Sequence, residues 1–168
     1  PESFASEDYR VYFSDKVRGS IMRLSRDGLT AISDAGMKDW FRDNLRLTKK
    51  IIGSFDDKKG EYNVKLQYDD DGTYTTDSDD NYVVSFSEKV RGWVSFKSFT
   101  DMQRGVSMAN NYYTFKNGNL YLHHSEDVDR NTFYGEYSDS SIDVMLNDDP
   151  SSIKVYNTLN YEGSQSKI

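Results

Sequence analysis

This chain of 168 residues has no cysteine, two prolines and two histidines. Without cysteine, disulfides and thiolate metal sites are excluded, and folding in a reducing cytoplasm is permitted. No apolar stretch approaches the ~18 residues of a membrane span, and no signal-peptide core is present. Basic residues are the minority: 21 Lys and Arg face 28 Asp and Glu, a net charge of −7. That balance opposes a phosphate backbone, and no basic stripe reverses it, so neither nucleic acid nor membrane is an expected partner. The prolines are Pro1 and Pro150. The second is expected to push Asp149 into an extended conformation and to break the chain there.

Aromatics are plentiful, at 14% of residues with thirteen tyrosines. Tyr, Phe and Thr suit pleated, half-buried surfaces. The strongest pattern is a repeat. The run from Val11 to Gly19 (VYFSDKVRG) returns from Val84 to Gly92 (VSFSEKVRG), with a looser copy from Gly53 to Gly60 (GSFDDKKG). Each copy carries an apolar run into a charged turn ending in glycine, the pattern of a hairpin used as a module. Gly19, Gly60, Gly92 and Gly118 are the expected turn residues, and Phe13, Phe55 and Phe86 are expected to pack before the first three. A left-handed backbone is expected at Gly92.

Alternation predicts a strand around Tyr9, Val11 and Phe13, and further strands are expected over residues 20–25 and 29–33 and at 50–55. Tyr62, Val64 and Leu66 alternate with Glu61, Asn63, Lys65 and Gln67, predicting one wet face. Further strands are expected at 82–86, 93–99, 112–115, 119–123, 132–137, 142–146 and 154–161. Met37, Trp40, Phe41, Asn44 and Leu45 recur at helical spacing, predicting one amphipathic helix over 36–47 with Ser33 or Asp34 as N-cap. Residues 101–109 read as a loop. The acidic segment from Asp69 to Asn81 reads as the most mobile loop. Residues 1–8 read as a polar leader, and 9–168 as a single β-rich, repeat-containing domain, a fragment of a larger protein. The fold class is therefore all-β with one short helix, built of repeated antiparallel hairpins. Two arrangements stay open, irregular β-propeller-like blades and a β-sandwich. A propeller blade takes about 40–45 residues.

Candidate chemistry is thin. Asp77, Asp79, Asn81, Ser85 and Glu88 fall at EF-hand spacing, but Tyr82 stands where that loop requires glycine, and its flank reads as a strand. A cation of another kind at 69–71 or 77–80 is a minor possibility. His123 and His124, with Glu126, Asp127 and Asp129 nearby, lack a ligand spacing, and adjacent strand residues point to opposite faces. One packed and one exposed histidine is the expectation. There is no Gly-x-Ser-x-Gly elbow, no stand-out carboxylate pair and no Gly-rich phosphate loop. Catalytic, metal and cofactor-binding residues are expected to be absent. Lys16, Arg18, Lys89, Arg91 and Trp93, recurring around the repeated turns, form the expected contact surface. The tyrosines, Trp40 and Trp93 offer a second option, stacking platforms for sugars.

The run from Val11 to Thr30 and on to Phe41, together with the runs 52–62, 86–96, 113–121, 131–135 and 159–163, resembles very large virion structural proteins of marine and crAss-like tailed bacteriophages, of the tail muzzle or stabilisation type. The resemblance spans roughly residues 9–168. It implies a non-enzymatic scaffold in a phage tail, assembled in the host cytoplasm into the virion, with other virion proteins and its own copies as partners. A receptor- or glycan-binding tail module is the alternative, and a glycosidase-like propeller enzyme the third.

Overall fold

Short connections between alternating runs join antiparallel neighbours, and the chain folds as successive meanders. The computed structural model describes residues 2–68, 81–146 and 149–158. The first sheet contains β1 (Ala5–Glu7), β2 (Arg10–Asp15), β3 (Ser20–Ser25) and β4 (Gly28–Ala31), in that spatial order. A 3-10 turn at Ile32–Asp34 leads into α1 (Lys38–Leu47). The second sheet orders β5 (Lys50–Asp56), β6 (Glu61–Gln67), β7 (Tyr82–Ser87) and β8 (Gly92–Lys97). The third has β9 (Arg104–Met108), β10 (Asn111–Lys116) and β11 (Asn119–Leu122), with β10 central. A small hairpin of β12 (Thr132–Phe133) and β13 (Glu136–Tyr137) follows. The protein is thus mostly antiparallel sheet with a single α-helix among the described residues, and its sheets are open and stacked rather than closed into a barrel.

The second sheet is the middle layer. On one side, Phe55, Tyr62, Val64, Leu66, Val84 and Phe86 join Tyr12 and Ile21 of the first sheet and Phe41 and Leu45 of α1 in the larger core. On the other, Ile52 and Val83 meet Phe99, Met102 and Tyr112 in a second core. Strand β6 therefore has no wet face: Asn63 is 1% and Lys65 4% exposed. Both are satisfied, Asn63 accepting from the Ser85 hydroxyl and Lys65 Nζ donating to Met102 O at 2.9 Å. In the first sheet the inward face carries Tyr12, not Phe13, which stays half-buried on the opposite face.

The helix begins two residues later than its periodicity suggests. Ser33 and Asp34 are consumed by the 3-10 turn, and Met37 takes the N-cap position with no side-chain cap bond. Its anchor is as expected: Phe41 is fully buried, and Trp40 packs edge-on to Phe41, Tyr82 and Phe96.

Each of the repeated hairpins has a four-residue turn ending in a left-handed residue. These are Gly19 (φ 67°), Gly60 (φ 65°) and, in the third, Arg91 (φ 53°). Gly92 instead pairs with Ser87 at the start of β8 and lies outside the left-handed region, so the expectation for it is corrected. The VSFSEKVRG letters sit one residue out of step with VYFSDKVRG, and the strand pair shifts register at Ser85/Phe86. Nor do the copies hold equivalent places: they join β2 to β3, β5 to β6 and β7 to β8.

Two strands form where none was expected. In the polar 1–8 segment, β1 adds to the first sheet, and Glu2 O accepts from Gly53 N at 2.9 Å. In the expected 101–109 loop, β9 pairs along β10. Small inward residues hide both strands: Ala5 is buried in the larger core, a Cβ at Gly105 would meet Ser54 and the Tyr112 hydroxyl, and Ser107 bonds to Phe55 O. Conversely, residues 142–146 and 154–158 are not strands, and Ile142, Met145 and Ile153 are exposed. Asp149 has φ 50°, not the extended form expected before Pro150.

The close approach at Gly53 makes a test. A Cβ there would stand 2.0 Å from Ser3 O, whereas at Gly92 the nearest atom would be Val90 O at 3.9 Å. Gly53→Ala is expected to lower unfolding free energy by at least about 2 kcal/mol, and Gly92→Ala by less than about 1 kcal/mol. Denaturant titration of both variants reads the contrast; equal losses would remove Gly53 from the junction.

Candidate functional site

The chemistry of this chain gathers where the sheets meet. The second strand of each sheet supplies one fully buried tyrosine, Tyr12, Tyr62 and Tyr112. A tyrosine brings large apolar area together with one hydroxyl that needs a partner. Each hydroxyl finds it across a junction or beside one. Tyr12 stacks on Tyr62 and Phe55, with ring centroids at 4.9 and 5.6 Å, and donates to Glu88 Oε1 at 2.8 Å. Tyr62 donates to Ser3 O at 2.7 Å. The Tyr112 and Ser54 hydroxyls share a hydrogen bond of 2.7 Å. Burial raises the pKa of all three phenols, so they remain protonated.

Between the first two sheets, Glu88 is the hub. Its carboxylate receives Tyr12, Arg23 at 2.9 Å and, more loosely, Arg10 at 3.6 Å. Arg10 also pairs with Glu7 at 2.7 Å. Between the second and third sheets, Ser107 Oγ donates to Phe55 O at 2.8 Å and accepts from Asp57 N at 3.0 Å. There too, His124 Nε2 lies 2.6 Å from Asp56 Oδ2. Buried His123 shares a 2.7 Å hydrogen bond with Thr114 Oγ1, which also bonds the Tyr134 hydroxyl at 2.8 Å. Burial, and then the charge of His124, lower the pKa of His123 to about 4.

The expected contact residues divide. Lys16 Nζ donates to Thr48 O, and Gly19 packs against the Arg42 backbone, so this turn is held down on α1. Arg18 pairs with Asp15 at 2.9 Å. Lys89 and Arg91 are exposed. Trp93 faces inward, against Phe41 and Phe86, with Nε1 donating to Ile32 O at 3.0 Å, so it presents no sugar platform. Gly118 forms the β10–β11 turn with Asn117, both left-handed.

The cation readings find little support. Asp77 and Asp79, like the rest of 69–80, lie outside the described residues. Ser85 is bonded to Asn63 inside the middle sheet, Glu88 is spent on arginine, and Asn81 Oδ1 accepts from Tyr68 N at 3.2 Å. Among the described residues, no three His, Asp or Glu are grouped to hold a metal. Asp56 is the only buried carboxylate among them, and its partner is His124, not a second acid. An open cavity of about 960 Å³ does lie beside this pair, bordered by Lys58, Tyr121, Arg130, Asn131 and Tyr134.

Sequence reasoning missed the tyrosines as a set, although positions 12, 62 and 112 carry a signal in their regular spacing of 50 residues.

Two comparisons bear on identity. Residues 128–168 match the family model for the Crassvirus muzzle protein C-terminal domain. Over 160 residues, 95% of this chain, the sequence is 22% identical to the muzzle protein of Bacteroides phage crAss001. Both findings support a crAss-like phage structural family. They support a virion structural component and a virion location. The chain spans about a tenth of that relative, 11% of its length.

Two measurements probe the junctions. Tyr112→Phe leaves Ser54 Oγ buried without its partner and is expected to cost about 1–2 kcal/mol, part of it returned by adding Ser54→Ala. His123 gains a proton near pH 6.5 when unfolded and only near pH 4 when folded. Its contribution to stability is complete above about pH 6.5 and is lost as pH falls toward 4, amounting to roughly 3 kcal/mol. In His123→Gln, the slope of stability against pH across that window is expected to flatten; an unchanged slope would mean that His123 titrates normally.

Proposed function

We propose that this chain is a non-enzymatic scaffold module of a tailed-phage virion, a tail component that assembles in the host cytoplasm with other virion proteins and with copies of itself. The likeness to a muzzle protein along 95% of the chain carries this reading. The geometry agrees with it. Buried tyrosines, the Glu88 hub and the Asp56–His124 pair spend their polar groups on fixing one sheet against the next, which is what a stiff spacer needs. A single β-rich domain within a longer polypeptide is part of the proposal. So is a blade-like arrangement, favoured by the first strands, since β1 touches β5 and β5 touches β9. Arg18, Lys89 and Arg91 on exposed turns are the proposed outward contacts.

A receptor- or glycan-binding module is the second reading, favoured by the open cavity beside Tyr121 and Tyr134. Mass spectrometry of purified particles of the encoding phage tests the first: peptides from this chain are expected in stoichiometric proportion to tail proteins, and their absence from particles would overturn it. A glycan array separates the second, which requires binding that Tyr121→Ala abolishes.

A further inference from the structure

One pocket gathers the charge that the rest of the chain has least of. Arg10, Arg23, Arg26 and Arg91, with the carboxylates Asp27 and Glu88, line a recess of about 490 Å³ between the first two sheets. Its four guanidinium groups outnumber its two carboxylates, a positive surplus in a protein of net charge −7. Glu88 does not neutralise them all, since Tyr12, Arg23 and Arg10 already share it. The guanidinium groups of Arg26 and Arg91, both exposed, have no carboxylate partner among the described residues. Deeper in, Arg23 Nε and Ser25 Oγ are buried with no hydrogen-bond partner. Buried donors left unpaired are costly and uncommon, so each needs a reason.

We propose that this recess is an oxyanion site, taking a phosphate or carboxylate group between Arg26 and Arg91, with Arg23 and Ser25 behind it. Guanidinium forks match the paired oxygens of both groups. Arg10 and Arg23 stay fixed by Glu88, so part of the site is preorganised. The turn that carries Arg91 is held by the left-handed backbone at that residue, which sets where its side chain departs from the surface. The proposal does not rest on the assembly reading.

The test follows arginine Nε–H signals of the isotope-labelled chain during titration with sodium phosphate and, separately, sodium acetate, at ionic strength held constant with sodium chloride. A saturable shift of the Arg23 and Arg91 signals is expected with at least one anion. Saturation by phosphate identifies a phosphate group as the natural ligand chemistry, and saturation by acetate a carboxylate side chain. Arg26→Gln/Arg91→Gln is expected to weaken binding by about tenfold or more. Because neither side chain has an ion-pair partner in the described structure, the melting temperature should hold, and Arg91→Gln alone gives the same reading if the double variant is unstable. Shifts that stay linear for both anions, or variants that bind like the parent chain, would overturn the site.

Discussion

The middle sheet is covered on both faces, and much of the architecture follows from that one constraint. A sheet with a solvated side can leave its polar groups to water. Here Asn63, Lys65, Ser54 and Asp56 are all buried, and each has a partner within the protein. The tyrosines of the flanking sheets and of β6 itself extend the same logic, since a phenol fills a junction and ends in a group that bonds across it. Close approach then dictates glycine. Added Cβ atoms at Gly53 and Gly105 would meet Ser3 O at 2.0 Å and the Tyr112 hydroxyl at 2.5 Å. The wedge that opens between the first two sheets is filled by α1, whose Phe41 and Leu45 complete the larger core.

Much of this fold was legible. Alternation located β2 and β6, and apolar or aromatic runs between turn signals located β3, β5, β7, β10 and β11. The Asn117–Gly118 turn and the helix anchor at Trp40–Phe41 were legible for the same reason: strong local chemistry agreed with the tertiary outcome. What failed was whatever depended on a neighbour. β1 and β9 look like loops because their inward residues, Ala5 in one and Gly105 and Ser107 in the other, are small where another sheet lies against them. The buried face of β6 looks wet because Lys65 and Asn63 are polar, and only the third sheet makes them interior. The segment 142–146 has the letters of a strand but pairs with no strand among the described residues.

The site was legible only in outline. The tyrosine positions were visible as a spacing but not as junctions, since nothing local distinguishes a tyrosine at a sheet interface from one decorating a surface. Trp93 shows the reverse error. A tryptophan beside an exposed charged turn invites a surface role, yet the register shift beside it turns its ring inward to Phe41 and Phe86.

A four-residue turn closed by a left-handed residue links first to second, second to third, and third to fourth strands. It is a portable cassette, indifferent to its address in the sheet. Shared letters across such cassettes therefore record a common bend and not a common location. Among distant relatives, an alignment seeded on them can slide by a whole hairpin while every matched residue still looks right, so buried tyrosines make the safer landmarks for tracing descent.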